Sequence, residues 1–563
     1  MSPSGARLPE RFVELTEREP DRLAFLELAD GVNESARLTP GELRARASQL
    51  AGQLRERGLR PGDVALLIAT PSLEFLVGLF GCMWAGVIAA PISFPRRPEH
   101  LESRLAPVRE NAGAVAIVAG PPQGDAETSV LELMSQGSIP VISTTADGDS
   151  EGAPSWHDIA YLQYTSGSTG DPRGVIVTQD ALAANLELIS DALGFDQSSV
   201  IVSWNPLTHD MGLIMGALPA TTFGITSVLM PPSAFIRRPL TWLRAMDTHR
   251  GTHGYSPNFG YDLCVDRSTP EERSEIDLSS VRCLINGAEP VRRRTRDRFI
   301  EAFAPSGFRA EAHTPAYGLA ESAVLVSASP SSTSGTVLYL DAESLERNEI
   351  VFVDSDHKSA RELVGCGRPA ASYQAIIADP DDRTVLPADR VGELWLQGPS
   401  VCAGYWRRPE ATAAAFGVTT AAGDGPYLRT GDLAFLHDGE VVICGRLKDL
   451  IIINGRNLHP QDLELSVELA HDAVRSGGSA AFPIDDHDAE VVVVVAEVDG
   501  TPDEDEVGSA IRTAVRREFE VTVSDVLLVP PYTVPKTSSG KKQRGAAREL
   551  WAKARNGAEP AGT

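Results

Sequence analysis

Amphipathic helical segments alternate with short apolar segments over the first half of the chain. In residues 38–58, LTPGELRARASQLAGQLRERG, apolar side chains recur at helical spacing, and residues 64–69, VALLIA, form a pattern typical of a buried strand. Residues 73–92 predict a buried helix that runs into a strand, and residues 114–120, AVAIVAG, repeat the strand signal before an acidic loop near Asp125. The alternation continues to about residue 330 and is typical of an α/β fold.

After Gly425 the pattern changes to short strands and glycine turns, which predicts a small β-rich unit leading into a hinge. We place the domain boundary near Lys448, and this gives domains 1–447 and 448–563. The second domain is predicted to be compact and α+β, with a loose tail from Trp551. Its expected elements are a helix from about Pro460 to Val474, strands at residues 480–484 and 491–498, a helix from about Glu506 to Phe519 and a strand at residues 525–530.

Size and composition exclude several classes of protein. The 563 residues exceed what one hydrophobic core usually organises, and 42% hydrophobic residues provide ample material for two or three packed domains. A formal net charge of -26 argues against a nucleic-acid partner, because phosphate backbones require clustered Lys and Arg.

Cysteine usage and apolar stretches bear on the compartment. The six cysteines show no CxxC or zinc-ligand spacing, which favours reduced thiols in the cytoplasm. The N-terminus lacks the apolar core of a signal peptide. One stretch without charges, Met211–Met230, is long enough to cross a bilayer, but it contains Pro219 and follows His209 and Asp210, so we interpret it as buried core and expect no transmembrane segment.

A loop rich in Thr, Ser and Gly follows the strand-like residues IAYLQ. Residues 164–174 read YTSGSTGDPRG, and hydroxyls and amides in such a loop can surround phosphate oxygens. The GxxxxGK[ST] pattern of a Walker A loop is absent. Taken alone, the loop is also compatible with a flexible turn.

The wording YTSGSTG resembles the phosphate loop of the adenylate-forming (ANL) superfamily, which includes acyl-CoA synthetases, luciferases and the adenylation domains of peptide synthetases. Further motifs of that superfamily follow in the expected order along nearly the whole chain. The resemblance implies ATP as cofactor and the ANL adenylating-enzyme fold, with a large N-terminal domain of α/β subdomains plus a β-rich subdomain and a small mobile C-terminal domain. It assigns phosphate binding to Thr165, Ser166, Gly167, Ser168, Thr169 and Gly170.

Two motifs carry carboxylates with a nucleotide role in the superfamily. Residues 317–321, YGLAE, resemble the segment in which Tyr317 and Gly318 contact adenine and Glu321 binds Mg²⁺, a cation that prefers oxygen ligands. Residues 427–432, YLRTGD, end in Asp432, which is similar to the aspartate that accepts hydrogen bonds from the ribose hydroxyls. Either acid alone is equally compatible with a cap or a surface carboxylate.

Two motifs belong to the hinge and the C-terminal domain. In GRLKD, the resemblance makes Arg446 a nucleotide contact and Lys448 the pivot of the C-terminal domain. In PKTSSGKKQR, it makes Lys541 the catalytic lysine, whose ammonium stabilises charge between the substrate carboxylate and the α-phosphate. Without the resemblance, two lysines near a tail would indicate a solvated surface.

Several segments resemble one branch in particular, the fatty acyl-AMP ligases. They are LQYTSGSTG, SWNPLTHDMGLI, PNFGYDLC and LINGAEPV. The resemblance implies a fatty acid substrate and, as acceptor, the phosphopantetheine thiol of a holo acyl carrier protein. It places catalytic His209 between the acid and the α-phosphate and makes one wall of the adenine pocket from Asn286, Gly287, Ala288, Glu289 and Pro290.

The segment between Glu321 and GCGRP at residues 365–369 is longer than in ordinary acyl-CoA synthetases. In fatty acyl-AMP ligases an insertion here, about 330–364 in this chain, is associated with loss of productive use of coenzyme A; a variable surface loop is the alternative. The chain departs from the usual patterns at Arg173, at Thr208 and at His313 and Thr314, which bears on the shape of the acyl pocket more than on the chemistry.

Three alternatives remain at this point. An acyl-CoA synthetase differs in acylating coenzyme A. An amino-acid-activating domain is less favoured, because no acid is evident that would bind an α-amino group. A catalytically silent adenylate binder or carrier-protein scaffold is disfavoured by the complete set of Glu321, Asp432, Arg446 and Lys541.

Overall fold

The computed structural model describes residues 6–69, 72–93, 101–122, 125–135, 137, 139–145, 154–165, 172–330, 335–453, 456–486, 489–537 and 540–556. The helices in chain order are α1 Leu8–Arg18, α2 Pro40–Glu56, α3 Leu73–Ala85, α4 Leu101–Ala112, α5 Asp125–Ser135, α6 Gln179–Leu193, α7 Leu218–Phe223, α8 Pro232–Arg237, α9 Leu240–Thr248, α10 Asn258–Asp266, α11 Pro270–Ser274, α12 Arg293–Phe303, α13 Ala342–Leu345, α14 Pro409–Ala415, α15 Pro460–Leu469, α16 Glu504–Phe519 and α17 Arg544–Asn556.

The strands in chain order are β1 Phe25–Glu27, β2 Ala36–Leu38, β3 Val64–Ala69, β4 Ile88–Ser93, β5 Ala116–Ala119, β6 Val141–Ser143, β7 Ile159–Thr165, β8 Arg173–Thr178, β9 Val200–Ser203, β10 Thr226–Leu229, β11 His253–Ser256, β12 Cys283–Asn286, β13 His313–Tyr317, β14 Ser327–Ala328, β15 Val337–Asp341, β16 Ala360–Val364, β17 Arg368–Pro369, β18 Gln374–Ala378, β19 Gly392–Gln397, β20 Leu428–His437, β21 Glu440–Arg446, β22 Ile451–Ile453, β23 Arg456–Leu458, β24 Val474–Asp486, β25 Ala489–Val498 and β26 Val523–Val529.

Two large sheets form the first part of the chain. In the described residues one sheet has the order β6-β5-β3-β4-β7-β8, parallel except for β8, and the other has the order β17-β14-β13-β12-β11-β9-β10-β1-β2 with a parallel centre. A single apolar cluster joins both sheets through the helices between them, with Phe75 of α3 and Leu182 of α6 fully buried in it. The predicted α/β fold is confirmed.

Local sequence explains where these elements begin. Helix α2 starts after Thr39, whose hydroxyl accepts from the Glu42 amide while the Glu42 carboxylate accepts from the Thr39 amide, and Pro40 occupies the first turn. Within the apolar stretch Met211–Met230 lie a π-helical turn, α7 and β10, all packed in the core. None of the helices in the described ranges is long and apolar enough to cross a membrane.

A four-stranded antiparallel sheet, β18-β19-β20-β21, follows among the described strands, so the β-rich region begins at Gln374 rather than after Gly425. Within the predicted insertion, residues 335–364 form the hairpin β15-β16 with α13 between its strands. Leu340 and Leu363 of this hairpin pack with Leu433 and Phe435 of β20, so the hairpin covers the sheet that carries the YLRTGD motif.

The C-terminal residues form the α+β unit that the sequence predicts, with a sheet β24-β25-β26 packed on α15 and α16. Two details differ from prediction. Helix α15 ends at Leu469 instead of near Val474, where β24 begins. The segment from Trp551 to Asn556 is not loose but belongs to α17, because the Trp551 indole packs against Phe482 and donates to Asp525 at 2.7 Å.

A further difference from prediction lies earlier in the chain. The acidic segment near Asp125, predicted as a loop, is the first turn of α5.

Candidate active site

The motif residues collect where parallel strands end. Strands β9, β11, β12 and β13 are neighbours with matched registers, so that Ser256 pairs with Asn286 and Asn286 with Pro315. Their carboxyl ends therefore lie along one edge of the sheet. Ligands of open α/β sheets bind at such an edge.

The predicted phosphate loop joins β7 to β8. Thr165 ends β7 and is paired with Arg173 at the start of β8, so the two ends of the loop are adjacent. Ser166, Gly167, Ser168, Thr169 and Gly170 lie outside the described residues, as does the side chain of Thr165. Their phosphate role stays a prediction.

Glu321 lies in a short turn, Ala320–Ser322, and its side chain is oriented by Tyr405. The Tyr405 hydroxyl donates to Glu321 Oε1 at 2.7 Å, and the Cys402 amide donates to the Glu321 carbonyl oxygen at 2.9 Å. Burial and the adjacent carboxylate raise the pKa of Tyr405, which keeps the hydroxyl protonated as a donor. The Arg173 guanidinium lies over the ring of Tyr405, 5.6 Å from its centroid.

Asp432 is held between a tyrosine and an arginine. Tyr317 donates its hydroxyl to Asp432 Oδ2 at 2.8 Å, and Arg446 Nε donates to Oδ1 at 2.9 Å. The Asp432 carboxylate raises the pKa of Arg446, while burial and then that carboxylate raise the pKa of Tyr317. Each carboxylate oxygen can accept more than one hydrogen bond, so the two oxygens of Asp432 can also accept from two vicinal hydroxyls.

Asn258 braces the turn after β12. Its backbone amide donates to Glu289 Oε1 at 3.0 Å, its Nδ2 donates to the Pro290 carbonyl at 2.9 Å, and its Oδ1 accepts from Asn286 Nδ2 at 3.0 Å. Ala288 in this turn has φ 70. Two pairs of backbone segments approach closely at glycines, because a Cβ at Gly287 would lie 2.9 Å from the Ala316 carbonyl oxygen and one at Gly318 1.7 Å from that of Val324.

His209 and Asp210 are in contact, with 2.5 Å between His209 Nδ1 and Asp210 Oδ1. The backbone before them is tied to β7, because Gln163 Nε2 donates to the Thr208 carbonyl at 2.9 Å. Burial alone would raise the pKa of Asp210, but the neighbouring His209 lowers it below its ordinary value. Asp210 is therefore ionised beside His209.

The loop of Lys541 reaches this cleft from the C-terminal domain. The Lys541 ammonium lies within electrostatic range of Asp210, Asp432 and Glu289. Desolvation, followed by the Arg446 guanidinium, lowers the pKa of Lys541 below the ordinary 10.5. A Cβ at Gly540, whose φ is +85, would lie 2.1 Å from a ring carbon of Phe259, so the loop backbone rests directly on α10. The structure thus brings Lys541 together with the motifs of the N-terminal domain.

Lys448 lies in the short turn Leu447–Asp449 that follows β21. Desolvation and then Arg446 lower the pKa of its ammonium. Asp449 Oδ2 accepts from Arg544 Nη1 at 2.9 Å, which links this turn to the start of α17.

Glu321 is the carboxylate to which the sequence resemblance assigns a metal ion. No group of three or more His, Cys, Asp or Glu in the described part of the chain could hold one. Mg²⁺ usually binds through one or two carboxylates plus substrate phosphates rather than in an all-protein cage. The residues present therefore fit an ion that arrives with a nucleotide.

Sequence reasoning missed Tyr405 and Asn258 as parts of the site. Tyr405 is 84 residues from its partner Glu321 along the chain, and only the fold brings them together. Asn258 lies in the segment PNFGYDLC, which the sequence singles out without assigning a role to any of its residues. The buried position of Asn258, which is 2% exposed, is the signal that needed the structure.

Comparisons with known proteins agree with this arrangement. Residues 12–406 match the family described as AMP-binding enzyme, and residues 448–559 match the family described as Disco-interacting protein 2-like, AMP domain. The chain is 40% identical to the medium-chain fatty acid–acyl-carrier-protein ligase JamA of Moorena producens, over 94% of this chain and 92% of that protein. It is 35% identical to the long-chain fatty acid–AMP ligase FadD32 of Mycolicibacterium smegmatis, over 98% and 95%.

A solved structure is similar over almost its whole length. It comes from a study of fatty acyl-adenylate ligases from E. coli and L. pneumophila, with a TM-score of 0.88, 30% sequence identity and 98% of each chain covered.

Proposed function

The chain belongs to the AMP-binding enzyme family, in its fatty acyl-AMP ligase branch, and from this premise we propose that it activates a fatty acid with ATP and transfers the acyl group to a carrier thiol. The products of the first step are acyl-AMP and pyrophosphate. One observation carries the proposal: Gly540, next to Lys541, rests on Phe259 of α10, and the Lys541 ammonium interacts electrostatically with Asp210 and Asp432.

Positioning and electrostatics supply the chemistry of the first step. A fatty acid is already ionised at neutral pH, so its carboxylate attacks the α-phosphorus of ATP without a general base. An oxygen–phosphorus bond forms while the bond to pyrophosphate breaks. The ammonium of Lys541 stabilises the negative charge that develops between the two reactants, and His209 borders the place where they meet.

Separate residues hold the nucleotide. Asp432 accepts from the ribose hydroxyls and is kept in place by Tyr317 and Arg446. The walls of the adenine pocket are formed by Gly318 and by the turn Asn286, Gly287, Ala288 and Glu289. The phosphates are bound by the loop of Thr165, Ser166, Gly167, Ser168, Thr169 and Gly170. Glu321 would hold Mg²⁺, which would supply neutralisation of charge on the phosphate oxygens.

The second step needs the domains, 1–447 and 448–563, to move. Lys448 is the pivot, and rotation about it takes Lys541 out of the cleft and admits a thiol. The thiolate of the phosphopantetheine arm attacks the acyl carbon, a thioester forms, and AMP leaves. The acceptor is a holo acyl carrier protein.

The insertion supports a carrier-bound thiol over free coenzyme A. Glu346 of the insertion accepts from Arg456 Nε at 2.6 Å and Nη2 at 2.9 Å, and Arg361 pairs with Asp462 at 2.6 Å. These contacts tie the insertion to the C-terminal domain and would restrict its motion. An enzyme that acylates coenzyme A is the alternative, and the test below separates the two.

We place the reaction in the cytoplasm and expect no nucleic-acid partner. All six cysteines are unpaired and buried, as in a reducing compartment, and ATP is the substrate. The net charge of -26 disfavours phosphate backbones.

Mass spectrometry of the products tests the proposal. The enzyme is incubated with ATP, Mg²⁺ and a panel of fatty acids, in parallel with coenzyme A and with a holo acyl carrier protein. We expect acyl-AMP that persists with coenzyme A and disappears onto the carrier. Rapid formation of acyl-CoA would assign the alternative, and absence of adenylate from every acid would refute fatty acid activation.

A further inference from the structure

A buried ion cluster lies directly beneath the loop of the catalytic lysine. Lys542, the next residue after Lys541, places its Nζ 3.0 Å from Glu464 Oε2 and 2.9 Å from Glu468 Oε1. The side chains of Glu464 and Glu468, both on α15, are only 1% and 3% exposed. Buried carboxylates need partners, because an unpaired charge in the interior is costly. Lys542 therefore anchors the chain directly beside Lys541.

The same cluster extends to the hinge. Arg544 Nε and Nη2 donate to the two oxygens of Glu464 at 2.7 and 3.0 Å, and Arg544 Nη1 donates to Asp449 at 2.9 Å. Glu468 Oε1 also accepts from the Ser479 hydroxyl at 2.8 Å. All of these groups belong to the C-terminal domain and move with Lys541.

One member comes from the other domain. Arg292 Nη1 lies 3.3 Å from Glu468 Oε2, and the Arg292 side chain is 19% exposed. The Arg292 amide donates to Asn258 Oδ1 at 3.1 Å, and Asn258 also braces Glu289 and Pro290 of the proposed adenine wall. The backbone that carries this guanidinium is thus tied, through Asn258, to the turn proposed to bind the nucleotide.

Charge favours the contact between Arg292 and Glu468. Within the C-terminal domain, the described members of the cluster are three carboxylates, Glu464, Glu468 and Asp449, and two cations, Lys542 and Arg544. Arg292 adds a second cation to Glu468, whose direct ion-pair partner within the C-terminal domain is Lys542 among the described residues. Burial alone would raise the pKa of Glu468, but Lys542 and Arg292 lower it to about 2, so the carboxylate facing Arg292 is ionised.

The pair cannot survive the motion that removes Lys541. Lys541 and Lys542 are consecutive, and Lys542 is bonded to Glu468 itself. If the C-terminal domain carries Lys541 out of the cleft, Glu468 moves with it and separates from Arg292. The Arg292–Glu468 contact and the presence of Lys541 in the cleft therefore occur together.

We propose that Arg292 is a positioning residue for acyl-adenylate formation, whose ion pair with Glu468 holds the C-terminal domain closed with Lys541 in the cleft. This inference rests on the proposed function for its chemical readout. A pair that served only the stability of the fold would affect both half-reactions alike. A pair that favours one domain arrangement affects the step that uses it.

The chain offers a matched control. Arg298 lies on α12, just after Arg292, and its ion pairs with Asp262 at 3.3 Å and Asp266 at 2.6 Å both stay within the N-terminal domain. Arg298→Ala removes the same charge from the same region without touching the domain contact. Arg292→Lys keeps the charge and should restore part of the effect.

Two half-reactions are measured separately on the full chain. Acyl-AMP formation from fatty acid and ATP is compared with thiol transfer from supplied acyl-AMP to a holo acyl carrier protein. Coupling between domain states is typically worth about 5- to 150-fold, and we expect Arg292→Ala and Glu468→Gln to lower kcat of the first reaction within this range. Transfer from supplied acyl-AMP should be retained, and Arg298→Ala should change neither rate.

Hydrogen exchange provides a readout that does not depend on activity. We expect faster exchange at the amides of Lys541 and Gln543 in Arg292→Ala and Glu468→Gln than in the wild type and Arg298→Ala. Equal loss of both half-reactions, or exchange indistinguishable from Arg298→Ala, would overturn the role of Arg292. Wild-type protein that makes no acyl-AMP would instead refute the proposed function, while the exchange data would still decide whether Arg292 holds the domain closed.

Discussion

The charge of Lys541 is available to a ligand because the acids around it are already engaged. Asp210 is paired with His209, and Asp432 with Arg446. A cation in a desolvated cleft whose neighbours are occupied is pre-organised for negative charge that develops during a reaction.

Replacement of Lys541 should therefore separate the two half-reactions. We expect Lys541→Ala to lower acyl-AMP formation by about 10²- to 10³-fold, the usual cost of losing one pre-organised electrostatic group. Thiol transfer from supplied acyl-AMP should continue. Quench-flow assays of each half-reaction provide the measurement, with Lys553→Ala, an exposed lysine of α17, as control. Equal loss of both half-reactions would contradict this division.

The pH dependence of the first half-reaction follows from the same residue. Desolvation and Arg446 lower the pKa of Lys541, whereas Asp210, Asp432 and Glu289 oppose this shift. The protonated amine is the active form, so acyl-AMP formation should decline as pH rises through a pKa below the ordinary 10.5. In Lys541→Arg this descending limb should move to higher pH, because guanidinium stays protonated. An unchanged limb would assign the titration to another group.

Tyr405 should matter through the metal ion. Loss of a group that orients a metal ligand typically costs about 10- to 100-fold in metal affinity, and Tyr405→Phe removes the hydroxyl that donates to Glu321. We expect the Mg²⁺ concentration for half-maximal adenylation to rise in that range. Tyr339→Phe is the control, since its hydroxyl accepts from Arg293 Nη1 at 2.6 Å instead. No change in the Mg²⁺ requirement would argue against Glu321 as a ligand.

At the scale of elements, the catalytic-lysine loop depends on one glycine. Gly540 has φ +85, and a Cβ there would lie 2.1 Å from the Phe259 ring. Gly540→Ala should therefore lower the rate of acyl-AMP formation and have only a small effect on the thermal stability of the chain. Gly500→Ala introduces the same kind of backbone strain, at φ +73, with nothing within 4 Å of its Cβ. Similar adenylation rates for the two variants would show that the contact with α10 is not needed.

Continuous apolar runs in the sequence predict the elements whose burial is uniform. Strand β3 and helix α3 are predicted correctly because residues 64–68 and nearly all residues of α3 are apolar and buried. The end of α15 and the helical character of Trp551 were not predicted, since each depends on a partner distant in the chain, such as Asp525 for Trp551. A local pattern carries no information about such partners.

The residues of the candidate site likewise fall into those that the sequence identifies and those that only the fold identifies. Glu321, Asp432, Arg446 and Lys541 stand in short motifs and could be assigned by resemblance. Tyr405 and Asn258 act through hydrogen bonds to residues far along the chain or across a turn, so only the fold identifies them.

For the whole molecule, we expect acceptor choice to depend on what limits movement of the C-terminal domain. Removal of the entire insertion is a poor test, because Leu340 and Leu363 are buried against Leu433 and the deletion would expose that apolar surface. A single carboxylate provides a milder change. Glu346 is 11% exposed and forms a two-bond pair with Arg456 of the C-terminal domain.

Glu346→Gln keeps the shape of this side chain and removes its charge, so the tie between insertion and C-terminal domain weakens by about 1.5–3 kcal/mol, the range for hydrogen bonds to charged groups. If the tie restricts access of coenzyme A, acyl-CoA should rise relative to acyl-AMP in Glu346→Gln. Glu349→Gln is the control, because its partners Arg347 and Arg390 lie in the N-terminal domain. Mass spectrometry with coenzyme A as the sole acceptor measures the ratio. A ratio equal to that of the wild type would mean that the acceptor is selected by the shape of the thiol entrance and not by restrained domain motion.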